Sequence, residues 1–174
     1  VGAVYPLTGP QGAGGRDELA GVQTAVQLIN EGAGVQGRQV RLMVKDAQTA
    51  EAGRSAVDEL IDREHVPAIL GSYSSIVSVA ASAEASKRGA IWWETGAVAD
   101  AVTMGDSATA PPYVFRSVAA GGNLGRMSAR FTSEALLPHW GMSAEEARVT
   151  IVYESDVYGR SVADGAMAEA KARG

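Results

Sequence analysis

The sequence predicts an α/β fold built on a doubly wound, mostly parallel sheet. Short apolar or β-branched segments, bounded by glycine, proline or charged residues, alternate with stretches in which apolar residues recur at helical spacing. Two of the predicted strand-to-helix turns, at 8–15 and 71–75, are rich in glycine or hydroxyl residues. In sheets with this alternation, ligands bind outside the carboxyl ends of the strands, so these turns predict a binding edge.

Strands and helices can be assigned along the whole chain. The segments with strand composition are 1–5, 40–45, 66–70, 90–93, 113–117 and 148–153. The segments with helical periodicity are 17–30, 50–64, 75–88, 124–137 and 160–173. Asp17 and Glu18 stand at the start of the first helix, where the helix dipole favours acidic residues. The periodicity stops over 103–112, which predicts a loop.

Composition excludes several classes of function. The chain has 174 residues, 46% of them hydrophobic, which is enough for one domain or for one and part of a second. A net charge of −5, with 15 scattered Lys and Arg residues, argues against nucleic acid as a partner. The absence of cysteine excludes disulfides and thiolate chemistry. No apolar run approaches the roughly 18 residues of a membrane span, and we expect any export signal to have been removed or never to have existed.

Known catalytic, metal and cofactor patterns do not fit this sequence. The glycines at 9–15 do not form a dinucleotide-binding motif, and no phosphate-binding P-loop motif is present. His65 and His139 each lack a second histidine at ligand spacing, so we predict no metal site. Ser74, His65 and Asp46 would be a catalytic triad only on paper, because no nucleophile elbow is present and His65 begins a strand at the opposite end from Ser74. We therefore expect neither an enzyme nor a cofactor.

The end of the predicted fourth strand carries side chains of unusual chemistry. Trp92 is expected in the core, since alternate residues of a strand face opposite sides of a sheet. Trp93 or Tyr73 is then a candidate for the wall of a cleft. For Glu94 two interpretations stay open: a solvated carboxylate, or a partner for a cationic group on a ligand.

A series of short motifs, in a fixed order, resembles a known family. They are PLTGP at 6–10, GR-x-V at 37–40 followed by KD at 45–46, VPAILGS at 66–72, YVFR at 113–116 and YG at 158–159. Together they resemble the type I periplasmic binding proteins of the branched-chain amino acid (Leu/Ile/Val-binding) family. The resemblance implies two Rossmann-like α/β lobes, with a first lobe at 1–117, a crossover at 118–123 and an incomplete second lobe at 124–174.

The resemblance also implies a function. Such a receptor is extracytoplasmic, either periplasmic or lipid-anchored at the cell surface. It captures a small polar or carboxylate-bearing ligand, such as an amino acid or amide, between its lobes for an ABC permease. The alternative is a ligand-sensing domain of the same fold in an amide- or amino-acid-responsive regulator or receptor. The face of the last helix with Val162, Ala166, Met167 and Ala170 is expected to be partly exposed or covered by another copy through self-association.

The resemblance assigns the ligand site to three places. The ligand carboxylate is held at the serine-bearing helix start and the next strand end, and an aromatic residue covers it: Ser74, Ser75, Thr95, Gly96, Ala97, Val98 and Tyr158. The hinge is assigned to Ala119, Ala120, Gly121, Gly122 and Asn123. Three residues depart from the amino-acid-binding pattern: Gly14 replaces an aromatic, Val98 a threonine and Gly121 an acidic residue. The missing polar partners argue against an ordinary amino acid as the ligand, because an unpaired buried cation is costly.

Overall fold

A computed structural model describes residues 1–104 and 110–174, so the predicted loop at 103–112 lies partly outside the described residues. The described residues form two compact units. Unit 1 comprises Val1–Ala97 and Ala101–Val118, and unit 2 comprises Val98–Asp100 and Ala119–Gly174. The short segment Val98–Asp100 thus groups with unit 2, and the predicted division into lobes at 1–117 and 124–174, with a crossover at 118–123, stays a prediction.

Unit 1 is built on a parallel five-stranded sheet with the strand order β2-β1-β3-β4-β5, which confirms the predicted fold class. The strands are β1 (Gly2–Tyr5), β2 (Met43–Asp46), β3 (Ala68–Gly71), β4 (Ile91–Glu94) and β5 (Val114–Arg116). The helices are α1 (Gly12–Glu31), α2 (Ala50–Asp62), α3 (Ser75–Lys87) and the short α4 (Ala101–Met104). The predicted strands and long helices of this unit are all present, with shifted ends.

Alternation along the strands separates two hydrophobic cores. Val4, Ile69 and Trp92 point to one face of the sheet, where they pack with buried residues of α2 and α3. Ala3 and Tyr5 point to the other face and pack with Leu19 of α1. Strand β1, which lies between β2 and β3, is buried on both faces, and this explains why its residues are apolar.

The first helix begins at Gly12, five residues before the predicted start at Asp17, so Gly12, Gly14 and Gly15 are helical, whereas Gly9 stays in the turn. Glycine is required in this first part of α1 because the helix packs closely against the backbone that follows β1. A side-chain carbon at Gly15 would lie 1.9 Å from the carbonyl oxygen of Pro6, a backbone atom that cannot move aside easily. These glycines therefore let α1 approach the end of β1 closely.

Unit 2 is a close pair of helices with a connecting segment. Its helices are α5 (Gly121–Phe131), which continues through a π-helical turn (Thr132–Leu136) into α6 (Leu137–His139), and α7 (Val157–Ala172). A side-chain carbon at Gly125 would lie 1.9 Å from the carbonyl oxygen of Val162, and one at Gly165 would lie 2.1 Å from that of Gly122. Glycine at these positions lets the backbones of α5 and α7 touch.

The predicted hinge glycines lie inside this contact. Gly121 and Gly122 form the first turn of α5, and a side-chain carbon at Gly121 would lie 2.8 Å from Cβ of Ser161. The carboxylate of Asp100 accepts a hydrogen bond from the Gly122 amide at 3.1 Å, which supports the helix start. The close packing of α5 against α7 thus explains why glycine stands at these two positions, without any need for unusual backbone dihedral angles. The role of Ala119–Asn123 as a hinge stays a prediction.

The predicted strand at 148–153 is wrong. This segment forms no ladder with any described residue, because a strand needs a neighbour to satisfy its amides and none pairs with it. Instead, Val149, Ile151 and the α7 residue Val162 line an apolar cavity of about 670 Å³ within unit 2. In the described part of the chain, no helix is long and apolar enough to cross a bilayer.

The apolar face predicted for the last helix is only partly covered. Val162 and Ala166 are half-buried, while Met167 is 45% exposed and Ala170 is also exposed. This matches the expected exposure of the face. Self-association through it stays a prediction.

Candidate functional site

Polar residues gather at the carboxyl edge of the unit 1 sheet, where β1, β3 and β4 end. Tyr5 ends β1, a serine-rich turn at 72–75 follows β3, and Glu94 ends β4. Strands β3 and β4 are neighbours, paired in register from Ala68 with Ile91 to Gly71 with Glu94. Neighbouring strands lie about 5 Å apart, so the residues that follow them share one surface.

The serine turn is held together by its own hydrogen bonds. The Ser74 amide donates to Oγ of Ser72 at 3.0 Å, and the Ser72 amide donates to Oγ of Ser78 at 3.2 Å. The Ser78 amide in turn donates to the Ser74 carbonyl at 2.8 Å. Ser74 and Ser75 are 2% and 6% exposed. These hydrogen bonds hold the start of α3 in one conformation, and the Ser74 amide already donates to Ser72 within the turn.

Glu94 is completely buried, so its interpretation as a solvated residue is wrong. Its Oε2 atom accepts a hydrogen bond from Nε1 of Trp92 at 3.1 Å. Its Oε1 atom accepts from the next three backbone amides, at 3.0, 3.0 and 2.8 Å: Thr95, Gly96 and Ala97. The carboxylate thus faces inward and organises the loop after β4, and we no longer assign it direct contact with a ligand.

This arrangement gives the strand-end amides a partner within the chain, and their role in holding a ligand stays a prediction. The amides of Gly96 and Ala97 were expected to hold a ligand carboxylate, but they bind the carboxylate of Glu94 instead. Val98 belongs to unit 2, where its carbonyl accepts a hydrogen bond from the Gly121 amide at 2.6 Å. The Glu94 carboxyl group therefore makes the hydrogen bonds that were predicted for a ligand carboxylate.

Burial raises the pKa of Glu94 to about 7, against an opposing effect of hydrogen bonds from Ser78, Trp92 and backbone amides. A carboxyl group with a raised pKa in the folded state stabilises the protein at low pH, and this contribution is lost as pH rises through about 7. The stability difference is the free energy of unfolding of the wild type minus that of Glu94→Gln, which cannot titrate at this position. We expect this difference to fall by about 3 kcal/mol between pH 4.5 and pH 8. Urea denaturation at both pH values measures it, and a difference that does not change with pH contradicts it.

A second polar cluster at this edge was missed in the sequence. The Thr95 hydroxyl donates to Oε2 of Glu18 at 3.1 Å, and the Tyr5 hydroxyl lies 2.8 Å from the Thr95 hydroxyl oxygen. Because the single Thr95 proton points to Glu18, Tyr5 is the donor in that pair. Burial raises the pKa of Tyr5 to about 12, which keeps it a donor, and burial also raises the pKa of Glu18. Helical spacing of Glu18 from Gly14 is the signal that could have placed it here.

Aromatic residues at the edge divide between core and surface. Trp92 is completely buried, as predicted, whereas Trp93 is 44% exposed and stacks on Phe115 with ring centroids 5.9 Å apart. Tyr73 is also exposed, and its ring fills the space where a side chain at Gly14 would lie, 2.5 Å from that position. The aromatic surface that Gly14 lacks is thus supplied by Tyr73.

The remaining candidate residues lie elsewhere. Tyr158 is an exposed residue at the start of α7 in unit 2, and its role as a ligand cover stays a prediction. The Asp46 carboxylate binds the Leu7 amide at 2.8 Å and the Thr8 hydroxyl at 2.5 Å, so it fixes the turn after β1. Among the described residues, no group of three or more histidine or acidic side chains is arranged to hold a metal ion.

A parallel sheet with a polar carboxyl edge is the architecture of an α/β ligand-binding protein. The sequence profile of the periplasmic binding protein family matches residues 1–174. Leu/Ile/Val-binding protein homolog 8 of Brucella abortus is 32% identical over 173 residues, which cover 99% of this chain and 42% of that protein. Homolog 7 of the same organism is 31% identical, over 94% of this chain and 40% of its own length.

Solved structures agree with this match. An ABC transporter substrate-binding protein from Desulfitobacterium hafniense has 25% identity and a TM-score of 0.77, over 100% of this chain and 47% of that one. The branched-chain amino acid transporter substrate binding protein LivJ from Streptococcus pneumoniae, solved in complex with isoleucine, has 29% identity and a TM-score of 0.69, over 78% of this chain and 38% of that one.

The chain belongs to the periplasmic binding protein family, and its resemblance to the branched-chain amino acid group is confirmed. Proteins of this family are extracytoplasmic receptors that bind small molecules and work with ABC permeases. The chain spans less than half the length of these relatives, between 38% and 47%.

Proposed function

We propose that this chain is part of a solute-binding protein that captures a small polar or carboxylate-bearing ligand for ABC-type uptake. The observation that carries the proposal is the serine turn at the start of α3, beside the Thr95 hydroxyl, at the carboxyl edge of a sheet of this family. Relatives named as Leu/Ile/Val-binding and ABC transporter substrate-binding proteins favour uptake over the sensing alternative.

The physical argument for an anion rests on the helix start. The first amides of a helix have no acceptor within the helix and lie at the positive end of its dipole. Helix α3 begins at Ser75, directly after Ser74, so two serine side chains stand at this helix start. We assign the ligand carboxylate to Ser75 with Ser74 and Tyr73 around it, while Glu94 and the amides of Gly96 and Ala97 support the loop rather than the ligand.

Replacing Ser75 by alanine should weaken ligand binding by about 10- to 150-fold, because a hydrogen bond to a charged group contributes about 1.5–3 kcal/mol. The ligand is first identified by native mass spectrometry of the full-length protein, and its dissociation constant is then measured by isothermal titration calorimetry. Ser86→Ala, a buried serine at the far end of the same helix, is the matched control and should bind normally. Unchanged affinity in Ser75→Ala would remove Ser75 from the site.

A further inference from the structure

The buried carboxyl group of Glu94 lies between the two polar turns at the edge of the unit 1 sheet. On one side, its Oε1 atom accepts hydrogen bonds from the backbone amides of the loop after β4, from Thr95 to Ala97. On the other side, the hydroxyl of Ser78, in the first turn of α3, donates to the carboxylate. Ser78 and Glu94 are both completely buried, so bulk water does not compete for this contact.

The same Ser78 hydroxyl takes part in the hydrogen bonds of the serine turn. The Ser72 amide donates to Oγ of Ser78 at 3.2 Å, and the Ser74 amide donates to Oγ of Ser72 at 3.0 Å. A continuous series of hydrogen bonds therefore runs from the Glu94 carboxyl group through Ser78 and Ser72 to Ser74. The loop after β4 and the serine turn are thus connected through one hydroxyl group.

The partners of Glu94 differ in how they can respond when its carboxyl group gains a proton. Backbone amides and the indole N–H of Trp92 can only donate, whereas a serine hydroxyl can donate or accept. A protonated carboxyl group must itself donate its O–H, so among these partners only Ser78 can receive it. Burial raises the pKa of Glu94 to about 7, so both protonation states are populated near neutral pH.

We infer that Glu94 and Ser78 form a proton switch that links the loop after β4 to the serine turn. When Glu94 is ionised, the Ser78 hydroxyl donates to it. When Glu94 takes up a proton from water, its O–H donates to Oγ of Ser78, and the Ser78 proton turns to another acceptor. The hydrogen bond from Trp92 weakens at the same time, because its acceptor loses its charge. The switch is a property of the fold and does not rest on the proposed function.

Other elements bring further charged and titratable groups close to the switch. Tyr5 of β1 and Glu18 of α1 meet at the loop after β4, and Arg116 of β5 is paired with Glu94 in the sheet register. Helix α3 carries no ionisable residue in its first two turns. Burial raises the pKa of Tyr5 to about 12, and an arginine keeps its charge, so neither group titrates near neutral pH. Burial also raises the pKa of Glu18, which therefore has to be distinguished from Glu94 by mutation.

An NMR titration of the full-length protein from pH 5 to pH 9 tests the switch, with ¹⁵N label in tryptophan and serine. We expect the Trp92 indole signal and the amide signals of Ser72 and Ser74 to shift with one common midpoint near pH 7. The indole of the exposed Trp93 is the internal control and should not follow this midpoint. Glu94→Gln, which cannot ionise, should abolish all three titrations, and Glu18→Gln should leave them in place.

Ser78→Ala separates the switch from a direct effect of charge on the serine turn. In this variant the Trp92 signal should still titrate, with a midpoint raised by about one pH unit because the ionised form has lost a donor. The signals of the serine turn should no longer titrate. Ser82→Ala, at a buried serine further along the same helix, is the matched control and should behave like the wild type.

Three results would overturn the inference. A wild-type Trp92 signal that does not titrate between pH 5 and pH 9 would mean that Glu94 keeps one protonation state, and this result needs no variant to fold. A Trp92 signal that titrates while the Ser72 and Ser74 amides do not would mean that the serine turn is not linked to Glu94. Serine-turn signals that titrate unchanged in Ser78→Ala would mean that the link does not pass through Ser78.

Discussion

Glu94→Ala should lower the free energy of unfolding by about 3–5 kcal/mol. The carboxylate is completely buried and accepts from Nε1 of Trp92 and from the Gly96 amide, which would both lose their acceptor. The Ala97 and Thr95 amides would be affected less, because they also donate to the carbonyl groups of Ser72 and Gly71. A buried donor without an acceptor typically costs about 1–3 kcal/mol.

Urea denaturation of the full-length protein, followed by circular dichroism, measures this loss. The matched control is Glu64→Ala, an exposed glutamate after the end of α2, which should change stability by less than about 0.5 kcal/mol. Equal stability of the two variants would mean that the loop after β4 does not depend on Glu94, and the Glu94 carboxyl group would lose its assigned role.

The fold of unit 1 was predictable because each of its signals is local. Strand composition, helical spacing and their alternation specify a parallel sheet, and the sheet order β2-β1-β3-β4-β5 brings the predicted polar turns to one edge. The segment at 148–153 has the same composition as the other strands, yet a ladder also needs a partner, which composition does not reveal. The wrong prediction at 148–153 shows that strand formation depends on a pairing segment as well as on the composition of the segment itself.

The candidate site was less predictable, for a different reason. A carboxylate at the end of a strand points to the core or to solvent, depending on the face of the sheet on which its residue lies. Alternation places Glu94 on the same face as Trp92, two residues before it, and this argument would have directed it to the core. Glu18 could be placed on an exposed or an inner face by helix periodicity, but only the close approach of Gly96 reveals where its carboxylate ends.

In unit 2, we expect Gly125→Ala to destabilise the α5–α7 pair by about 3 kcal/mol. The new side-chain carbon would lie 1.9 Å from the carbonyl oxygen of Val162 and 2.6 Å from the amide nitrogen of Ala166. Both are helical backbone atoms, so the two helices must separate rather than rearrange a side chain. The better helix propensity of alanine, about 1 kcal/mol, opposes the loss without cancelling it.

Gly21→Ala is the control for this change, because Gly21 also lies inside a helix but a side-chain carbon there would have no neighbour within 4 Å. It should stabilise the protein by about 0.5–1 kcal/mol through helix propensity alone. Amide hydrogen exchange in the full-length protein should show faster exchange in α5 and α7 for Gly125→Ala, and no such change for Gly21→Ala. The same glycine-to-alanine change is thus expected to raise the free energy of unfolding at Gly21 in α1 and to lower it at Gly125 in α5. The reason is that only Gly125 has backbone atoms of another helix close to it. Stabilisation by both variants would mean that α5 and α7 do not approach each other this closely.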